Sequence, residues 1–91
     1  MAKFQLDLYV AGQTPRSEQA IANLYQTCEG MLENCEIRII DVLDRPELAE
    51  ENKILATPTL IKSVPPPRRR IIGDLDDVER VARMLGLRSP E

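Results

Sequence analysis

Two cysteines, Cys28 and Cys35, are the obvious nucleophiles of this 91-residue chain. They stand too far apart for a C-x-x-C redox motif. The chain has no histidine, so no Ser-His-Asp or Cys-His arrangement can be assembled, and the usual zinc site lacks its imidazoles. Cys28 and Cys35 therefore read as reduced thiols, one on a helix and one on a strand, because a disulfide is disfavoured in a reducing compartment. Glu47, Glu50 and Glu51 are spaced as the solvated face of a short helix rather than as a general acid–base pair. No G-x-x-x-x-G-K-[ST] phosphate loop occurs. The run Arg68-Arg69-Arg70 invites a nucleic-acid reading. A formal charge of -3 and an aromatic content of 3% argue against it, since such binders are basic and stack bases on aromatic rings. On this reading the chain is no enzyme, holds no cofactor or metal, and works by contact with another protein.

The elements that would position such a contact follow from patterning. Phe4, Leu6, Leu8 and Val10 alternate with polar residues and Tyr9, which predicts a strand. Thr14 as cap and Pro15 as first residue open a helix whose apolar stripe is Ala20, Ile21, Leu24, Cys28 and Met31, running to about Glu29 and ending near Gly30. Cys35 to Leu43 reads as a second strand, parallel to the first through a right-handed crossover. Asp44 is placed to cap a short helix, with Glu47 reaching back as in a capping box. Thr59 to Lys62 and Arg68 to Ile72 read as strands either side of the stiff turn Pro65-Pro66-Pro67, and Gly73 breaks the second. Asp74 or Asp76 is placed to cap a last helix with Val78, Val81, Ala82 and Leu85 on its apolar face and Gly86 as C-terminal cap.

The expected order is β-α-β-α-β-β-α, a single α/β domain with the element order of the thioredoxin fold, and Thr57-Pro58 falls where that fold carries a cis-proline. Thioredoxin-like enzymes place reactive cysteines between the first strand and first helix, where the helix N-terminus lowers a thiol pKa. The matching stretch here, residues 11–17, has none. At 43% hydrophobic with few aromatics, the core is aliphatic and thin, which favours oligomers or partners. No apolar run reaches the ~18 residues of a membrane span. The charge of Asp7 sits inside what would be the apolar stretch of a signal peptide, so a cytoplasmic protein is expected.

Four stretches go further. They are Leu8-Tyr9-Val10-Ala11-Gly12-Gln13-Thr14-Pro15; Asp41-Val42-Leu43 with Pro46-Glu47-Leu48-Ala49-Glu50-Glu51; Lys53-Ile54-Leu55-Ala56-Thr57-Pro58-Thr59-Leu60; and Pro65-Pro66-Pro67-Arg68-Arg69-Arg70-Ile71-Ile72-Gly73-Asp74-Leu75. Together they resemble the KaiB circadian clock family from about Leu6 to Leu87. That resemblance implies a non-enzymatic protein that binds the ring of KaiC, a hexameric ATPase, and in some members engages KaiA or a sensor histidine kinase. It implies a second, resting fold (β-α-β-β-α-α-β) in a homo-oligomer, commonly a tetramer or otherwise a dimer. Residues of about 3–43 would then be shared between the folds and about 44–87 would vary within the one domain, 1–91. Lys53, Arg68, Arg69 and Arg70 match the family's basic partner-binding positions, and an arginine can hold a carboxylate with two parallel hydrogen bonds. The bland alternative is a charged strand edge that discourages aggregation, and strand alternation points Arg69 away from Arg68 and Arg70. Pro58, Pro65, Pro66, Pro67, Gly73, Met84 and Gly86 are the expected structural or fold-switch positions. Met84 stands where cyanobacterial members tend to have Gly, which favours the last helix by roughly 0.5–1 kcal/mol and should populate the thioredoxin-like form. Gln19 stands where relatives often carry Arg. The competing function is a thioredoxin-fold interaction module in stress or sensor-kinase signalling, outside any clock.

Overall fold

The computed structural model describes residues 3–73 and 75–87. Its elements are β1 (Phe4–Val10), α1 (Pro15–Thr27), a short 3-10 turn (Leu32–Asn34), β2 (Cys35–Asp41), α2 (Pro46–Glu51), β3 (Thr59–Val64), β4 (Arg69–Ile72) and α3 (Val78–Leu85). The four strands form one sheet in the order β2-β1-β3-β4. β1 and β2 are parallel, and the β1–β3 and β3–β4 pairs are antiparallel. Helices α1 and α3 pack on one face of the sheet, where Leu6, Leu8, Leu24, Leu60 and Leu85 meet in the larger core. The opposite face carries Tyr9, Ile40 and Ile61, with Leu48 and Ile54 laid over them.

The helix starts and stops have local causes. Thr14 Oγ1 accepts the Ser17 N–H at 3.1 Å, and Pro15 takes the first helical position. The helix ends at Thr27, before the expected Glu29, because the Met31 N–H turns back onto the Cys28 carbonyl at 2.8 Å. Strand β2 stops at Asp41 rather than Leu43. The Asp41 carboxylate accepts the Gly12 and Leu43 N–H groups at 3.0 and 2.9 Å, and its carbonyl accepts those of Asp44 and Arg45. That fourfold use of one residue bends the chain out of the sheet. Gly12 sits at φ +74, where an added Cβ would meet the Leu43 side chain at 3.3 Å.

Two capping expectations need correction. Asp44 does not cap α2: the cap is Arg45, with no side-chain hydrogen bond, and Glu47 is drawn sideways to Arg45 Nε at 2.6 Å instead of reaching back. That exposed pair holds the Glu47 carboxyl below its ordinary range. For α3 the cap is Asp77, whose carboxylate accepts the Arg80 N–H at 3.1 Å, and not Asp76; Asp74 lies outside the described residues. Gly86 does close α3, in the left-handed conformation at φ 80.

One charged residue is buried on the side of the larger core. Lys62 is 4% exposed, and its Nζ donates to the Leu85 carbonyl at 3.2 Å. A cation at the last turn of a helix meets the negative end of the backbone dipole. Burial, and secondarily Arg69 beside it, lower the Lys62 pKa from its ordinary value. The aliphatic stem fills core volume while the ammonium satisfies a helix-end carbonyl. Lys62→Ala should therefore destabilise the chain by about 2–3 kcal/mol, and Lys62→Met, which keeps the stem, by less than about 1.5 kcal/mol. Urea denaturation of the two variants checks the ordering.

Burial, and then the neighbouring Cys35 thiol, push the Cys28 thiol up to about 12 from 9.0. The unfolded chain releases this proton near pH 9 while the folded chain keeps it. The contribution is thus fully present below pH 9 and is lost as pH rises towards 12, by at most about 1.4 kcal/mol per pH unit. With a reductant present, Cys28→Val should show a shallower alkaline loss of stability than the parent. Tyr9 and Lys62 titrate in both proteins, so the difference isolates Cys28.

Candidate functional site

The basic residues gather around the end of α2. Asn52 caps this helix, and the next residue, Lys53, has a left-handed backbone at φ 55. The last carbonyls of a helix have no partner within it. Here Arg70 supplies one from across the sheet edge: its Nη1 donates to the Lys53 carbonyl at 3.0 Å and its Nη2 to the Asn52 carbonyl at 2.6 Å. Arg68 Nη2 donates to Asn52 Oδ1 at 3.1 Å, and Asn52 Nδ2 in turn donates to the Leu48 carbonyl at 2.9 Å. Lys53, Arg68 and Arg70 thus share one face.

Arg69 does not join them. It pairs in register with Lys62, whose side chain points into the α1–α3 layer, whereas Arg70 pairs with Ile61 of the smaller core. Tyr9, 2% exposed, belongs to the smaller core beneath the patch. Its hydroxyl pKa is raised, first by burial and then by Asp7, against the lowering pull of Arg38, Arg68 and Arg70. Both ion pairs among the described residues, Arg38–Asp7 and Arg45–Glu47, lie outside the patch. A guanidinium carries five N–H donors, so Arg68 and Arg70 retain donors for an outside carboxylate.

The structure adds a residue that charge-based reading passed over. Leu55 is 94% exposed in the loop after Lys53. The sequence offered a weak signal: Leu55 stands between Ile54, which packs on the smaller core, and the bend into Pro58. The prolines frame this region. Pro58 is buried at the start of β3, and its carbonyl accepts the Gly73 N–H at 2.9 Å. Thr57–Pro58 is cis, as are Val64–Pro65 and Pro66–Pro67 in the β3–β4 turn. Met84, 44% exposed on α3, and Gly86, which caps that helix, lie behind the sheet from the patch. Among the described residues no cluster of three or more metal-ligating side chains forms, and no helix is long and apolar enough to cross a membrane.

The sheet order, the two-sided helices and the cis-proline before β3 define a thioredoxin-like protein. Solved structures agree. The germline-specific thioredoxin Deadhead of Drosophila melanogaster superposes with a TM-score of 0.75 at 17% identity, covering 96% of this chain and 82% of that one. The N-terminal domain of Synechococcus elongatus SasA gives 0.69 at 27% identity, covering 93% and 81%. Within that fold the assignment narrows: residues 7–87 match the KaiB domain, and the chain belongs to the KaiB family. It is 51% identical over 88 residues to circadian clock protein KaiB3 of a Synechocystis strain, covering 96% of this chain and 84% of the relative. To the circadian clock oscillator protein KaiB of a Synechococcus strain it is 57% identical over 83 residues, covering 90% and 74%.

The Arg70 contacts give a direct expectation. Arg70→Ala should cost about 1 kcal/mol, because two helix-end carbonyls revert to water at an exposed site, and should speed hydrogen exchange over residues 49–56. Arg70→Lys should recover only part of the loss, having one point donor for two acceptors. Denaturation midpoints and exchange mass spectrometry measure both.

Proposed function

We propose that this chain is a non-enzymatic, cytoplasmic adaptor that docks on a KaiC-type hexameric ATPase and modulates its phosphorylation state in a circadian or timing system. The observation that carries this reading is the KaiB-domain match over residues 7–87 together with relatives named as clock proteins. Engagement of a KaiA-like protein or a sensor histidine kinase would follow on the docked form. A homo-oligomeric resting state, in which about 44–87 pack differently from the thioredoxin-like form, belongs to the same reading. Apolar burial in a partner or a second copy would supplement a thin core.

The docking surface we assign is the α2 end of the sheet: Lys53, Arg68 and Arg70, with the exposed Leu55 two residues after Lys53. An exposed apolar side chain on the same segment as cations suits an apolar socket edged with carboxylates. Desolvated contacts at the centre of such a surface carry most of the affinity, while the rim sets orientation and encounter rate. Arg69 faces the other side of the sheet, so one flat contact does not use all three arginines.

Size-exclusion chromatography of the chain with its cognate KaiC, in ATP or ADP, should move it into the ring fraction, and a chain that always elutes alone would defeat the proposal. Leu55→Ser should weaken the complex about tenfold or more, the loss of roughly 1.4 kcal/mol. Its denaturation midpoint should stay at the parent value, because the side chain is 94% exposed. Arg69→Ala should change affinity far less than Leu55→Ser.

A further inference from the structure

β4 is an outer strand of the sheet, and among the described residues no strand pairs beyond it. Its register fixes which backbone groups that leaves open. The Gly73 N–H donates to the Pro58 carbonyl at 2.9 Å. Gly73 and Pro58 thereby continue the pairing of Ile72 with Thr59 and Ile71 with Leu60. Bonded and non-bonded pairs alternate in an antiparallel ladder. Ile71 and Arg69 therefore turn their backbone groups to β3, while Arg70 and Ile72 turn theirs outward. Their N–H and carbonyl groups form the row that a further strand can take up.

This edge borders a groove of about 430 Å³ whose far wall is α3. Ile71 and Val81, both packed with the larger core, give the groove an apolar floor, and Met84, 44% exposed, stands on its rim. Towards the start of α3 the lining residues Asp76 and Asp77 outnumber Arg80, which disfavours carboxylates on that side. The other face of β4 is different. Arg70 and Ile72 pair with Ile61 and Thr59 and so point to the α2 side, where Arg68 also reaches Asn52 and Ile72 is 63% exposed. Side chains of a strand added here alternate between an apolar groove and a cationic face. A second copy of this chain is the wrong occupant, because pairing two β4 edges brings their arginines together.

We propose that the outer edge of β4 binds an extended segment of a partner protein in which acidic and apolar residues alternate. The segment adds to the sheet as a further strand and bonds to the Arg70 and Ile72 backbone. Its apolar side chains enter the groove against Ile71, Val81 and Met84. Its carboxylates meet Arg68 and Arg70, whose guanidinium groups retain N–H donors after their own contacts. This goes beyond the docking reading: the bonding groups are backbone, the apolar wall is α3, and Leu55 takes no part.

The test uses the full chain and two end-blocked, fluorescently labelled peptides of about eight residues, within the usual length of a strand. One alternates Glu and Val; the other has the same composition with its Glu and Val in separate halves. By fluorescence anisotropy the alternating peptide should bind saturably, about tenfold more tightly than the segregated one, and more weakly as salt is raised. In hydrogen exchange read by NMR it should slow the Arg70 and Ile72 amides and leave that of Ile71, already turned to β3, unchanged. Ile72→Pro removes an outward donor and no ladder bond, and Met84→Glu places a charge on the groove rim. Each should weaken binding of the alternating peptide by about tenfold, and Met84→Glu keeps the test open should the proline variant fail to fold. Equal affinity for the two peptides overturns the proposal, as do unprotected Arg70 and Ile72 amides or a Met84→Glu variant that binds like the parent. Protection of the same amides on concentrating the chain alone also overturns it, because the edge would then belong to a second copy.

Discussion

The sheet divides its apolar partners unequally, and most of this molecule's character follows from that division. β1 sends Leu6, Leu8 and Val10 into the α1–α3 layer and Tyr9 into the α2 layer. The first layer closes over fully buried Ala20, Leu24, Leu60 and Ala82. The second has three buried members, and α2 contributes none of them. Since apolar burial is the main favourable term in folding, the α1–α3 side holds the fold and the α2 side is attached to it.

Polar contacts make up part of the difference on the thin side. Arg70 and Asn52 satisfy backbone groups at the end of α2 that apolar packing leaves open. Such bonds at an exposed site contribute modestly and are exchanged with water readily. Segments with few buried contacts open at lower free energy than the core. The surface richest in cations, and carrying the exposed Leu55, is therefore also the one most easily reshaped. A change of packing confined to α2 would forfeit little burial. One that moved α3 would have to withdraw Val81, Ala82 and Leu85 from the larger core and leave the Leu85 carbonyl without Lys62. Of the two helices after Asp41, α3 therefore has the more apolar burial to lose. Met84 bears on it through helix preference more than through packing, since its side chain is 44% exposed.

Where local chemistry had one solution, the sequence was readable. The alternation of β1, the Thr14–Pro15 helix start, the Gly86 stop and the element order are all present in the structure. Where several residues could do one job, it was not. Asp76 and Asp77 can each cap a helix, and the choice fell on Asp77 because Leu75, buried to 4% exposure with φ 65, fixes where the chain enters α3. Asp44 had the right side chain to cap α2, but the turn at Asp41 runs through Arg45, so the helix starts one residue later than that cap requires. The site was harder still, because it inverts the usual sorting by polarity. Lys62 is inside and Leu55 outside, and only the pairing register shows that Arg70 shares a face with Ile61 while Arg69 shares one with Lys62.

The first turn of α1 explains how a thioredoxin-like frame can serve another purpose. In that frame the helix N-terminus stabilises a thiolate through its dipole and its free N–H groups. Here part of that donor set is already in use. The Ser17 N–H is taken by Thr14 Oγ1, whose own hydroxyl donates to Ser17 Oγ at 3.1 Å, and the Gly12 N–H is taken by the Asp41 carboxylate. A carboxylate beside the β1–α1 turn also opposes a second negative charge there. The same contacts stiffen the turn, hold the end of β2 and set where the chain departs towards α2. The same Asp41 contacts that close the β1–α1 turn thus also direct the chain towards α2.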